Sequence, residues 1–362
     1  MVAYCSAMRN NRVGLGIAAG VVLVLLAGGG IAWAVRSGSA KPTAAPGSAA
    51  PVTPTAEPTT PPPPSPGADL TGPLDLLLIG VDTRVSIPGW EPHADAIMLL
   101  HVEPGLDNAY LYSLPRDLRV NIPGHGTHKV TEAMSRGSRV AGSKVPNVQK
   151  GYDLLAKSLT AYTGIKEFQA GAILNFGGLD KLTDELGGVD LVIDQRVKSR
   201  HRKPDGSLRP LSGGDYRGPQ AVYEPGKRHL VGWQAIDYAR QRYGLPDGDY
   251  DRQRHQRQLV TALLTKARGE GLGDDPAKLD GLIDALGKSF VYLGGRKPVE
   301  YAYALRDLSP AKITRVSLPG SGVGRGGGYL GEQLTAEGRG FVKAVTQGKA
   351  AAYLAAHPKL KD

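Results

Sequence analysis

Three largely apolar runs, LDLLLIGV at 74–81, AIMLLHV at 96–102 and AYLYSLP at 109–115, dominate the first part of the chain beyond residue 73. Short runs with no polar alternation predict strands buried on both faces. A helical stretch at 148–162, a strand at 168–174, a helix at 176–186 stopped by Gly187 and Gly188, and a strand at 189–193 follow. Such alternation predicts a three-layer α/β/α domain around a central mixed sheet. Residues 198–225 are polar with several Gly and Pro, which predicts a long excursion loop. Beyond it the pattern predicts helices over 252–267, 279–286 and 299–308, a strand at 313–318, and closing helices near 335–345 and 350–357. No internal repeat is evident.

The N-terminal part has a different character. After Arg9 and Arg12, the 23 uncharged residues from Val13 to Val35 are long enough to cross a bilayer and longer than the apolar core of a cleaved signal. The expected organisation is a cytoplasmic tail (1–12), a retained transmembrane helix (13–35), a Pro/Ala/Thr-rich disordered linker (36–73) and a folded domain (74–362). Arg36 and Lys41 follow the span, so charge alone leaves its orientation open. Cys5 is the only cysteine, so the folded domain has neither disulfides nor thiol chemistry. The net charge of +10 fits nucleic acid, an anionic membrane or an acidic wall polymer. A tethered, stalked domain argues against nucleic acid.

The segment DYARQRYGLPDGDYDRQRHQR, Asp237 to Arg257, holds five arginines and four aspartates. Arg240 and Arg242 are two apart, so on an extended backbone both would leave one face as a clamp. Gly244, Pro246 and Gly248 then predict a turn, with Asp249 as the N-cap of a helix on which Arg252 and Gln256 share a face. Guanidinium forks beside a helix N-terminus suit phosphate or pyrophosphate. Read alone, such a stretch is more often a solvated, salt-bridged helix face.

Three loops at strand ends change the odds. GVDTR carries Asp82 and Arg84, HADAI carries Asp95, and SLPRDLRVNIPGHGTHKV carries Arg116, Asp117 and Lys129. Ligands of α/β sheets gather outside the carboxyl ends of strands, so Asp82 and Arg116 are expected to converge there, joined by Asp95 if its strand enters from the same edge. Two aspartates among arginines are accounted for if Mg²⁺, or Mn²⁺, bridges carboxylate and phosphate. Singly, each aspartate reads as a turn residue or cap. Asn175 and Phe176 read as helix cap and core. His93, His125 and His128 lack ligand spacing. Gly322, Gly324 and Gly327 match G-x-G-x-x-G, but no helix follows promptly, so the stretch reads as a flexible loop.

With these blocks in order, together with NFGGLDKLTDELGGVDL and HLVGWQAIDYARQRYG, the domain resembles the LytR-CpsA-Psr family of cell-wall ligases. The resemblance implies a phosphotransferase that moves a glycopolymer from a polyprenyl-pyrophosphate carrier to peptidoglycan, with the tail in an apolar tunnel. A muramic acid hydroxyl would attack the sugar-proximal phosphorus and polyprenyl phosphate would leave. It implies a single-pass cell-membrane protein with its N-terminus cytoplasmic and its catalytic domain extracytoplasmic. It gives Asp82 and Asp95 the magnesium side, and Arg116, Arg240, Arg242, Arg252 and Gln256 the pyrophosphate side, with Asp249 orienting arginines and Lys129 in a basic motif position. The catalytic set is Arg116, Arg240, Arg242 and Asp82. Departures stand at His93, Ala96, Thr131, His255 and Arg257, where the family usually has Arg, a small hydroxyl, Asn, Arg and Gln. The alternatives are a pyrophosphatase at the same site and a wall-polymer-binding or regulatory protein without turnover.

Overall fold

The computed structural model describes residues 66–82, 90–272 and 275–362. The expected span at 13–35, the linker up to residue 65 and Arg84 lie outside them. No helix among the described residues is long and apolar enough to cross a membrane. Strands β1 (Leu74–Val81), β2 (Ala94–Val102) and β3 (Ala109–Leu114) precede a hairpin, β4 (Arg119–Ile122) and β5 (Gly126–Lys129), and helices α1 (Thr131–Ser138) and α2 (Val148–Thr163). Then come β6 (Ala170–Asn175), α3 (Phe176–Glu185) and β7 (Val189–Ile193). The excursion holds β8 (Val197–Lys198), β9 (Leu211–Ser212), β10 (Asp215–Tyr216) and β11 (Val222–Tyr223), and β12 (Gly226–Leu230) returns to pair with β7. Helices α4 (Gly232–Arg240), α5 (Asp249–Gly269), α6 (Pro276–Leu286) and α7 (Pro298–Ala304), strands β13 (Phe290–Gly294), β14 (Ile313–Val316), β15 (Gly320–Arg325) and β16 (Gly328–Leu334), and helices α8 (Ala336–Thr346) and α9 (Ala350–Ala356) complete it.

The central sheet is mixed, in the order β13-β6-β1-β2-β3-β14, with β1 parallel to β6 and antiparallel to β2. Successive side chains of β1 leave opposite faces. Leu76 and Leu78 join one buried cluster with α3 to α7, while Leu77 and Ile79 join another with α1, α2, α8 and α9. Burial on both faces is why these strands read as continuous apolar runs. Residues ahead of β1 also dock: Leu70 packs on the core and Asp69 pairs with Arg296.

Close packing leaves little slack at Gly171 in β6, where an added Cβ would overlap the buried Tyr152 ring from α2. Gly171→Ala is expected to cost about 1–3 kcal/mol through overpacking. Scanning calorimetry checks this, and an unchanged Tm would show that Tyr152 can swing aside.

Three expectations about local structure are overturned. Arg240 is the last residue of α4 and the backbone becomes extended at Gln241 after it, so Arg240 and Arg242 do not share one extended strand. Tertiary packing of Ala235, Ile236, Tyr238 and Ala239 makes this segment helical. The N-cap of α5 is Gly248, at φ 54°, and Asp249 is the first helical residue. Its carboxylate is spent on arginines instead of on backbone N–H groups. The glycine-rich stretch at 320–334 is not a loose loop but the β15–β16 hairpin, turning at Gly326 and Gly327.

Candidate functional site

Topology brings the sequence-predicted residues to one edge of the sheet. β1 ends at Val81, and β2, antiparallel to it, begins there, with Val81 opposite Ala94. β3 is antiparallel to β2 and ends at the same edge, with Ile97 opposite Leu114. Asp82, Asp95 and Arg116 are therefore neighbours by strand direction, and α5 starts nearby, lying against β2 and β3.

The resulting cluster alternates in charge. Arg116 Nη1 donates to Asp95 Oδ1 at 2.6 Å, and Lys129 Nζ to Asp117 Oδ2 at 3.3 Å. Arg252 Nη2 lies 2.7 Å from Asp249 Oδ1 and donates to the Asp95 carbonyl at 3.2 Å. Arg242 Nη1 stands 4.0 Å from the same Asp249 oxygen. Asp249 thus lies between two arginines. Burial opposes the charge on Arg252 and lowers its pKa, with Asp249 resisting and Arg116 and Arg242 adding repulsion. Burial likewise works against Arg116, but Asp95, Asp117 and Asp249 outweigh it and raise the pKa. The buried Arg252 Nε has no hydrogen-bond partner among the described residues. A compact set of cations, one with an unused donor, has the chemistry to take acceptor oxygens.

Beneath the charges lies an apolar cavity of about 60 Å³ between the sheet, α3, α4 and α5, lined by Leu78, Met98, Leu174, Leu259 and Leu263 among others. Gln256 is placed on this cavity wall, one turn below Arg252, together with Arg240 and Ala96. The Arg240 guanidinium stacks on Phe176 at 3.9 Å, just after Asn175, whose side chain accepts from Gly178 N at 2.8 Å and caps α3. Asp82 is set apart from Asp95 and Arg116 in its contacts. It lines an adjacent polar pocket of about 330 Å³ with Arg240.

Some neighbours were missed by sequence reasoning. Tyr243 follows Arg242, accepts its Nη2 at 3.0 Å and lies against the Arg200 guanidinium at 4.1 Å. Arg242, with Arg200 and Arg116, lowers its pKa. Tyr329 of the hairpin reaches Asp117 at 3.2 Å and lies 4.7 Å from Lys129 Nζ. The RYG triplet was a signal for the first; nothing local marks the second. His93, by contrast, meets the Glu91 carbonyl at 3.0 Å and the Trp90 ring at 6.4 Å between centroids, away from the arginines.

Among the described residues no group of three or more His, Cys, Asp or Glu forms a ready metal set. Mg²⁺ commonly takes one or two carboxylates and completes its shell with substrate phosphate and water. Asp82 and Asp95, hard oxygen donors at one sheet edge beside a cation cluster, fit that donor pattern.

Fold and site together define an α/β domain with an arginine-rich, ion-paired cluster over an apolar cavity. The pattern of the LytR_cpsA_psr family matches residues 43–334, and the chain belongs to that family. It is 26% identical over 287 residues to the cell wall biosynthesis protein LcpA of Corynebacterium glutamicum, covering 71% of this chain and 52% of that protein. It is 30% identical over 200 residues to biofilm regulatory protein A of Streptococcus mutans, covering 54% and 44%, and 28% identical over 196 residues to the polyisoprenyl-teichoic acid–peptidoglycan teichoic acid transferase TagU of Bacillus cereus, covering 54% and 52%. The chain spans about half the length of these relatives. A solved structure of TagT bound to LI-WTA shares the fold at a TM-score of 0.54 and 22% identity, covering 77% of this chain and 90% of that one. The gbs0355 protein of Streptococcus agalactiae does so at 0.58 and 20%, covering 78% and 88%.

Proposed function

We propose that this protein is a phosphotransferase that moves a glycopolymer from a polyprenyl-pyrophosphate carrier to peptidoglycan. The observation that carries the reading is an arginine cluster directly above an apolar cavity, which matches a ligand with a diphosphate head on a hydrocarbon tail. A teichoic acid transferase and a cell wall biosynthesis protein among the relatives support the same chemistry. The apolar run at 13–35 and the Pro-rich stretch behind it support a membrane tether with the domain outside the cytoplasm.

In this reading Arg116, Arg242, Arg252 and Lys129 bind the pyrophosphate oxygens, and Arg240 stands where head meets tail. An acceptor sugar hydroxyl attacks the sugar-proximal phosphorus. The new O–P bond forms as the bond to the bridging oxygen breaks, polyprenyl phosphate leaves, and the hydroxyl proton passes to solvent. The arginines neutralise charge that grows on the leaving phosphate, and their fixed placement avoids reorganisation during the step. Asp95 holds Arg116 in place. Asp82 and Asp95 would hold Mg²⁺, which when bound supplies further charge neutralisation on the phosphates. The apolar cavity of about 60 Å³ is smaller than a whole polyprenyl tail.

The test is release of polyprenyl phosphate from a lipid-pyrophosphate glycan by the full chain in detergent, with and without a peptidoglycan oligomer. Acceptor-dependent release with glycan appearing on the oligomer is expected. Release without acceptor would make the protein a pyrophosphatase, and binding without release a wall-polymer-binding protein. EDTA is expected to abolish release and excess Mg²⁺ to restore it; full turnover in EDTA would remove the metal from the proposal.

A further inference from the structure

Strands β7 and β8 run out to the excursion and β11 and β12 return from it, and this ribbon with its tip carries two features that the arginine cluster does not use. Between residues 196 and 229 the sequence has nine arginines and lysines against three acidic residues, so this stretch holds six of the ten net positive charges of the chain. Among the described residues nine large hydrophobic side chains are exposed, and five of them, Val192, Leu208, Leu211, Val222 and Val231, lie between 192 and 231. Single exposed apolar residues need no explanation, but here they coincide with the charge.

Backbone pairing sets the two kinds of side chain together. Val192 stands opposite Lys227 in the β7–β12 pair, and Val222 opposite Lys198 in the β8–β11 pair. Opposed residues of a two-stranded ribbon point to one face, so each valine shares its outer face with a lysine. The inner face is packed, since Ile193, Val197 and Tyr223 belong to the core cluster on the α3–α7 side of the sheet. At the tip, Leu208 is 65% and Leu211 64% exposed. These leucines are held outward by the frame around them. Arg209, between them, donates to the carbonyls of Arg200 at 2.7 Å, Tyr216 at 2.9 Å and Gly218 at 3.0 Å. Asp237 of α4 fixes the base, accepting from Ser199 Oγ at 3.0 Å and Tyr223 OH at 2.8 Å. Arg196 and Arg200 are engaged with Glu224 and Asp215, whereas Lys198, Arg217 and Lys227 hold no ion pair among the described residues.

This combination narrows the partner. A soluble polyanion would take the cations and leave the leucines in water. An apolar protein groove would take the leucines and strip water from unpaired cations. An anionic bilayer surface accepts both, because headgroup phosphates meet Lys and Arg just above the depth at which acyl carbon begins. We propose that the 196–229 ribbon and tip form a membrane-docking element, with Leu208 and Leu211 seated among the headgroups of an anionic leaflet and Lys198, Arg217 and Lys227 on their phosphates. Leu208 also lines the polar pocket beside Arg240, so docking brings the mouth of that pocket to the lipid surface. The docking goes beyond the function proposed above and does not depend on it, since it would serve any chemistry on a lipid-borne substrate.

The test is a depth measurement. Cys5 is the only cysteine, so Cys5→Ser gives a background for single labels. An environment-sensitive dye is placed on Ser212→Cys at the tip or, as control, on Val145→Cys in the α1–α2 connection, on the opposite face of the sheet. The full chain is incorporated into nanodiscs of phosphatidylcholine, alone or mixed with phosphatidylglycerol, each doped with a lipid that carries a quencher at the top of its acyl chain. A chain that does not insert is mixed with vesicles of the same lipids, and the dye reads docking in the same way. Quenching at 212 is expected to exceed that at 145 several-fold in the anionic discs, and to fall to the 145 level in phosphatidylcholine alone or in high salt. Lys198→Gln, Arg217→Gln and Lys227→Gln together should erase the difference, and so should Leu208→Ser with Leu211→Ser. All five positions are exposed, so thermal scans should show the fold intact. Equal quenching at the two positions, or quenching at 212 that survives both sets of substitutions, overturns the docking. A dye at 212 that ignores the bilayer and responds to soluble poly(glycerol phosphate) would assign the face to an anionic wall polymer and overturn it as well.

Discussion

Alanine at Arg240 is expected to lower turnover of a lipid-pyrophosphate glycan by about two to three powers of ten, the loss typical of one removed transition-state donor. The side chain is exposed, stacks on Phe176 at 3.9 Å and lines both the apolar cavity and the polar pocket. Because it is not buried, its removal should leave Tm within a degree or two, so the loss would be of function and not of folding. Arg240→Lys should recover little. Lysine keeps the charge but lacks the flat guanidinium that lies on the Phe176 ring and forks toward two oxygens. Steady-state kinetics with thermal scans on both variants decide this. Normal kcat in the alanine variant would remove Arg240 from the reaction, and equal rescue by lysine would reduce its role to charge alone.

Asparagine at Asp362 should instead strike stability. Arg257 is 1% exposed in the middle of α5, and its Nε and Nη2 donate to the Asp362 carboxylate at 2.7 and 2.8 Å. Ser317 Oγ completes the group, 2.6 Å from both Arg257 Nη2 and Asp362 Oδ1. Removing one partner leaves a buried guanidinium uncompensated, which typically costs about 3–5 kcal/mol. For a domain of this size that corresponds to a fall in Tm of roughly 10 °C. The pH dependence follows from the same pair. Burial works to raise the Asp362 pKa, but the Arg257 and Ser317 hydrogen bonds prevail and hold it below the usual carboxylate range. A lowered folded-state pKa stabilises fully above the unfolded value, near about 3.9, and the contribution is lost as pH falls below that through the folded value. The wild type should therefore lose this increment in acid while the asparagine variant, lacking it, shows a flatter profile there. Parallel acid profiles for the two proteins would contradict the assignment.

These two predictions differ in how visible their residues were. Arg240 stood in a charged segment that sequence alone marks as an anion grip, although the expected extended clamp is the end of a helix. Arg257 stood in the same segment and read only as a departure from the family pattern. Its partner is 105 positions away, and no local spacing connects them.

What the sequence determined by itself is five of the six central strands, all but β13, and the inventory of charges. Strands covered on both faces must be apolar throughout, so Leu74–Val81 and Ala109–Leu114 are legible without neighbours. The aspartates and arginines at strand ends are legible because an α/β sheet collects ligands there. The tertiary structure alone decided what exposed or weakly patterned segments do. The glycine-rich hairpin at 320–334 has little apolar content; it is held by pairing between its strands and by Glu332, which accepts from Tyr250 at 3.1 Å. The 198–225 excursion is ordered by Arg209, which donates to the carbonyls of Arg200, Tyr216 and Gly218, and by Asp237, which accepts from Ser199 and Tyr223. The physical reason is common to these cases. Periodicity records which face a segment buries, whereas pairing between buried polar groups depends on the path of the whole chain.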